Sequence, residues 1–183
     1  MTCIVAYRGL SHVSIGCDSR GSNSEGFFDA YQTDKLITLE CGAVLGVCGS
    51  YKVIQTIREG LNQVGLRQSN PFAIAYAIEN LLRHHDLYKE QDWEAVLATQ
   101  NKVYALDCEC TVLEPKSPYV TCGTGEEVAI GALHALLDSD LTPEEMVTRS
   151  LLAAHAHIGS VGEPQQVINL GVGTKPNQTK TLI

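Results

Sequence analysis

Met1-Thr2-Cys3-Ile4-Val5-Ala6-Tyr7-Arg8 opens the chain, and His12-Val13-Ser14-Ile15-Gly16-Cys17-Asp18-Ser19-Arg20-Gly21-Ser22 follows a Gly9-Leu10-Ser11 turn. This stretch decides the fold. Both runs are rich in β-branched and small apolar residues, so they read as two short strands of a hairpin, the second ending in an Asp-Ser-Arg cluster. Thr2 gains a chemical meaning if Met1 is removed, because hydroxyl and free α-amine then sit on one residue. With an ordinary pKa near ~8, the amine can act as base for its own hydroxyl.

Outward from the hairpin, 21–29 is rich in Gly, Ser and Asn and reads as a loop. Lys35-Leu36-Ile37-Thr38-Leu39 is a strand. Gly42 to Cys48 is a continuous apolar run bounded by glycine, hence a strand buried on both faces. Gly49-Ser50 opens a helix with Ile54, Ile57, Leu61 and Val64 on one face. A second helix starts at Asn70-Pro71, a cap residue followed by proline in the first turn, and ends at His84-His85. Those two histidines point about 100° apart on a helix, which suits a polar helix end rather than a metal pair.

Strands are expected at about 93–99, 102–106, 111–113 and 119–122. Gly123-Thr124-Gly125 leads into an apolar helix from Val128 to Leu137, with Thr124 and Glu127 at the spacing of a capping box. Thr142-Pro143-Glu144-Glu145 starts a fourth helix by the same signature, running to about His157. A last strand spans 166–172, before a polar tail. Strands, two helices, strands, two helices and a strand fit neither a βαβ alternation nor an all-β pattern. They predict an α+β fold, a four-layer αββα sandwich of two mainly antiparallel sheets, as one domain over 1–183.

The bulk properties narrow the function. The chain has 183 residues, 44% hydrophobic and 19% charged, with a formal net charge of −8. Lys and Arg form no stripe, so nucleic acid and anionic membranes are poor partners. No apolar run reaches transmembrane length, and the reading is a cytoplasmic protein. The seven cysteines are scattered, mostly within apolar runs, and read as free thiols behaving as small hydrophobes. Cys108 and Cys110 resemble a ligand pair, but no second pair completes a closed tetrahedral site, so they read as a turn. Gly123-Thr124-Gly125 lacks the remainder of a nucleotide-binding motif.

Taken together, Thr2 before a strand, Asp18-Ser19-Arg20, Lys35 opening a strand, Val47-Cys48-Gly49-Ser50 between strand and helix, and Cys122-Gly123-Thr124-Gly125 before a helix resemble a proteasome β-type subunit. The resemblance extends to the HslV-type peptidases among the N-terminal nucleophile hydrolases, over most of the chain. It implies that Thr2 is the nucleophile, that Asp18 orients Lys35, and that the Lys35 ammonium favours the unprotonated amine of Thr2. It implies an oxyanion hole at the Gly49 N–H, and at Thr124 a hydroxyl that hydrogen-bonds the N-terminal amine.

It further implies substrate-binding positions at Ser22, Tyr31 and Val47. His157 stands where the family usually has an aspartate; it can carry a proton but supplies no fixed negative charge. Cys3 would have to be the first residue of the mature chain to replace Thr2, and reads as packed in the first strand. The implied activity is that of a threonine-type endopeptidase acting on peptides or unfolded protein, without metal or organic cofactor. A homo-oligomeric ring and an ATP-dependent unfoldase are the implied partners. A catalytically silent assembly subunit and a small-molecule amidase of the same superfamily are the alternatives.

Overall fold

A computed structural model of the chain describes residues 2–23, 26–28, 34–87, 89, 92–163, 165–171 and 180–182. The opening hairpin is β1 (Ile4–Arg8) and β2 (His12–Cys17), paired antiparallel with Ile4 opposite Cys17. A short ribbon, β3 (Gly21–Asn23) with β4 (Gly26–Phe28), follows where a loop was expected. In β3 composition hides it, since Gly, Ser and Asn are turn formers, and each strand is only three residues long. Next come β5 (Leu36–Thr38) and β6 (Val44–Cys48), then α1 (Tyr51–Val64) and α2 (Pro71–His84). Three strands, β7 (Glu94–Ala98), β8 (Val103–Leu106) and β9 (Val112–Leu113), complete one antiparallel sheet in the order β5-β6-β7-β8-β9.

The chain then crosses back through β10 (Tyr119–Cys122), α3 (Glu126–Leu136), α4 (Pro143–His157), β11 (Gln165–Gly171) and β12 (Lys180–Leu182). The other sheet has the order β10-β1-β2-β11-β12, again antiparallel. β12 falls in what reads as a polar tail. It is an edge strand, where an apolar pattern is not required.

Period-two alternation divides the side chains among three cores. Ile4, Ala6, Val13, Ile15 and Cys17 meet Val44, Cys48, Val96 and Ala98 between the two sheets. Leu45, Val47 and Leu97 point the other way, under Ile54 and Ile57 of α1 and Ile74 and Ile78 of α2. Cys3 and Val5 pack under Ala129 and Leu133 of α3 and Val147 and Leu151 of α4. This is the expected αββα sandwich. Burying a side chain such as Ile4, fully removed from solvent, stabilises it by roughly 1.5–3 kcal/mol.

The helix ends follow local chemistry. Asn70 accepts from Phe72 N–H and Ala73 N–H at the start of α2, and the Thr142–Glu145 capping box is formed at α4. At α3 the expected box does not form: Gly125 is the cap residue, and no side chain caps the helix. The helix begins at Glu126, one turn position later than a Thr124 cap requires, so the Thr124 hydroxyl is not used for capping. Asp107 accepts from the N–H of Glu109 and Thr111, which makes the Cys108–Cys110 segment the expected turn. Among the described residues no helix is long and apolar enough to cross a membrane.

Candidate active site

Thr2 lies at the entrance to β1 and is 3% exposed. Two loops from opposite sheets close on it. The β10–α3 loop passes beneath: the Gly125 N–H donates to the Thr2 carbonyl at 3.2 Å. Gly123 has φ +91°, and a β-carbon there would collide with that same carbonyl. Only glycine combines this backbone angle with so close an approach. From the other sheet, the β6–α1 junction supplies Gly49 at φ +139°, where a β-carbon would lie 2.8 Å from the Asp92 carbonyl oxygen. Thr2, Cys48, Gly49, Ser50, Asp92, Trp93, Glu94, Gly123 and Thr124 line one cleft of about 520 Å³.

Behind Thr2 is a buried charge pair. Lys35 Nζ donates to Asp18 Oδ1 at 2.8 Å and to the Arg20 carbonyl at 2.8 Å. Lys35 is 2% exposed and Asp18 fully buried. Asp18 Oδ1 also accepts the Cys3 N–H at 2.8 Å, and Oδ2 accepts from Arg20 N–H at 3.1 Å and Gly162 N–H at 3.2 Å. The Asp18 N–H returns a bond to the Cys3 carbonyl at 3.2 Å. One carboxylate oxygen thus holds both the ammonium and the peptide that joins Thr2 to Cys3. Desolvating two charges costs several kcal/mol each, so a pair this buried persists only with such complete hydrogen bonding.

The structure therefore brings Thr2, Gly49 and Thr124 to one cleft, and anchors Asp18 and Lys35 to the residue after Thr2. Three other expected positions fare differently. Val47 is fully buried in the core under α1 and α2 and does not line the cleft, because the strand period turns its side chain away and turns that of the buried Cys48 toward it. Ser22 lies in β3, and Tyr31 lies outside the described residues. His157 is the exposed last residue of α4 and is not among the cleft residues. What α4 delivers is the segment after it: Gly159 accepts from Arg20 Nη1 at 2.6 Å, and Gly162 reaches Asp18. A β-carbon at Gly162 would meet Arg20 Cβ at 2.6 Å, a packing demand with no local sequence signal.

The thiols are poor nucleophiles. Burial first, then the nearby Asp18 carboxylate, pushes Cys3 up to about 12. Burial likewise pushes Cys17 up to about 12. Cys122 is held well above the ordinary thiol range by its hydrogen bond with Cys48 and by burial. Each therefore stays protonated at neutral pH, in keeping with Cys3 as a packed strand residue.

The family model described as Proteasome subunit matches residues 1–162. The chain belongs to the proteasome subunit family. Solved structures share this family's fold at low identity. BPH from Thiobacillus denitrificans, solved in complex with Epoxomicin, superposes with TM-score 0.80 at 17% identity, covering 94% of this chain and 100% of that one. Anbu from Hyphomicrobium sp. strain MC1, as a Gly-1 mutant, gives TM-score 0.79 at 17% identity, over 99% of this chain and 87% of that one. HslV from Trypanosoma brucei gives 0.72 at 18% identity, over 92% and 99%. No curated protein sequence matches the chain. The sandwich is accordingly that of a proteasome-like N-terminal nucleophile hydrolase.

Proposed function

We propose that the protein is a threonine-type peptidase that hydrolyses peptide bonds with Thr2 as nucleophile once Met1 is removed. The observation that carries this reading is the buried Lys35–Asp18 pair, whose carboxylate also grips the N–H of the residue after Thr2. A fixed ammonium beside a chain terminus lowers the cost of leaving the α-amine neutral and of forming an alkoxide.

The Thr2 hydroxyl, its proton taken by the Thr2 amine, attacks the substrate carbonyl. The Gly49 N–H, on the opposite wall of the cleft, receives the developing oxyanion, a contribution of about 3 kcal/mol to the barrier. The amine then passes the proton to the leaving amine, and an ester to Thr2 remains. Water, deprotonated by the same amine, cleaves the ester and restores the hydroxyl. Thr124, with its hydroxyl uncommitted to helix capping, orients the amine from the cleft floor. His157 has no part in this scheme. Peptides or unfolded protein are the substrates, enclosed by a homo-oligomeric ring and delivered by an ATP-dependent unfoldase.

The test is intact mass of the untagged chain after incubation with an epoxyketone such as epoxomicin, beside cleavage of fluorogenic peptides. Loss of Met1 with one adduct, absent in Thr2→Ala, supports the reading. Retained Met1 with neither adduct nor cleavage points to a silent assembly subunit. Turnover of small amides without peptide cleavage points to an amidase. A monomer by sedimentation would remove the ring.

A further inference from the structure

We propose that Cys48, Glu94 and Cys122 form a binding site for one Zn²⁺ ion on the wall of the cleft. Cys48 Sγ and Cys122 Sγ lie 3.3 Å apart across the two sheets, and Cys48 Sγ lies 4.0 Å from Glu94 Oε2. The three ligand atoms all fall within 4.8 Å of one another.

Their spacing is set by the framework rather than by flexible loops. Cys48 ends β6 directly opposite Glu94 on β7, and Cys122 ends β10 in the facing sheet, opposite Ile4. Two zinc-bound thiolates at ~2.3 Å subtend a sulfur separation of about 3.8 Å in a tetrahedron, and a carboxylate oxygen at ~2.0 Å lies about 3.5 Å from each. The Cys48–Cys122 and Cys48–Glu94 pairs are each within about half an ångström of that arrangement, and rotation of the exposed Glu94 side chain draws its carboxylate toward Cys122 from within 4.8 Å. A disulfide instead requires the sulfurs to close from 3.3 Å to about 2.05 Å, and both cysteines are free thiols.

The donor set selects the ion. Two thiolates suit zinc and cadmium and disfavour magnesium and calcium, which take oxygen ligands. Binding breaks two S–H bonds, forms two Zn–S bonds and releases two protons to solvent. The way in is open: Cys48 and Glu94 line the cleft, and Glu94 is exposed while both thiols are buried. The surroundings favour a cation, since Asp92 also lines the cleft. Three protein ligands leave the fourth position to water from the cleft, the pattern of an open rather than a closed zinc site. None of this requires Thr2 to be a nucleophile.

The test is titration of the fully reduced full-length chain with Zn²⁺ by calorimetry in two buffers of different protonation enthalpy, which counts protons released. Cd²⁺ titration is followed by thiolate-to-metal charge-transfer absorption. The expected result is one Zn²⁺ per chain, about two protons released and a two-thiolate cadmium band. Cys48→Ser and Cys122→Ser should each weaken binding by at least about a hundred-fold, Glu94→Gln by about ten-fold, and Cys108→Ser/Cys110→Ser not at all. Glu94 is exposed, so its variant reports even if a core cysteine variant does not fold. No binding by the wild type, binding unchanged in Glu94→Gln, or loss of binding in the Cys108/Cys110 variant would each overturn the proposal.

Discussion

Replacing Lys35 by Met tests the buried pair on which the proposed chemistry stands. The methionine keeps the length and apolar stem but removes the ammonium that donates to Asp18 Oδ1 and to the Arg20 carbonyl. Breaking one partner of a buried pair costs about 3–5 kcal/mol. Here the stranded carboxylate keeps three backbone donors, from Cys3, Arg20 and Gly162. Charge-assisted bonds of this kind are worth about 1.5–3 kcal/mol each, so the loss should sit at the low end, about 3 kcal/mol.

For a chain of this length that corresponds to a fall in Tm of about 6–12 °C. The assay is thermal unfolding at fixed protein concentration, since assembly shifts apparent stability by mass action. Peptide cleavage by the Met1-free form should fall by about a hundred-fold or more, the scale of lost acid–base assistance. A Tm within about 2 °C of wild type would mean that the pair carries none of this stability. Full cleavage by a folded Lys35→Met would refute its role beside Thr2.

Gly123→Ala should destabilise the chain by more than about 1 kcal/mol and abolish epoxyketone labelling, because a β-carbon meets the Thr2 carbonyl at a left-handed backbone position; differential scanning fluorimetry and intact mass check both. His157→Ala, at an exposed helix end away from the cleft, should shift stability by under about 0.5 kcal/mol and leave peptide cleavage unchanged in a fluorogenic assay. Alkylation of the native protein near pH 8, mapped by peptide mass spectrometry, should modify the half-buried Cys41 and Cys108 well before Cys3 and Cys17. The last two are buried and pushed up to about 12.

Much of the architecture was legible because its causes are local. Asn70-Pro71 and Thr142-Pro143 place helix starts through orphan N–H groups a few residues away. The apolar run at Val44–Cys48 marks a strand buried on both faces, as all five of its residues are. The ribbon of Gly21–Asn23 with Gly26–Phe28 and the edge strand β12 were not legible, since runs of three residues become strands only by pairing with a partner. Thr124 shows the limit in reverse: the spacing to Glu127 fits a cap, but the helix begins at Glu126.

The residues of the candidate site, Thr2, Asp18, Lys35, Gly49 and Thr124, follow from short motifs whose order resembles a proteasome β-type subunit. Their assembly could not be derived from local pattern. Gly162 reaches Asp18 across 144 positions, and the Cys48 and Cys122 thiols meet across 74. Such contacts arise when two sheets stack and two loops meet at Thr2, and neither event leaves a periodicity in the sequence. Capping and alternation act between near neighbours, so the letters carry them directly. The carboxylate–ammonium pair, the thiol pair and the inward turn of Val47 follow from how the layers pack, and only the folded sandwich specifies that packing.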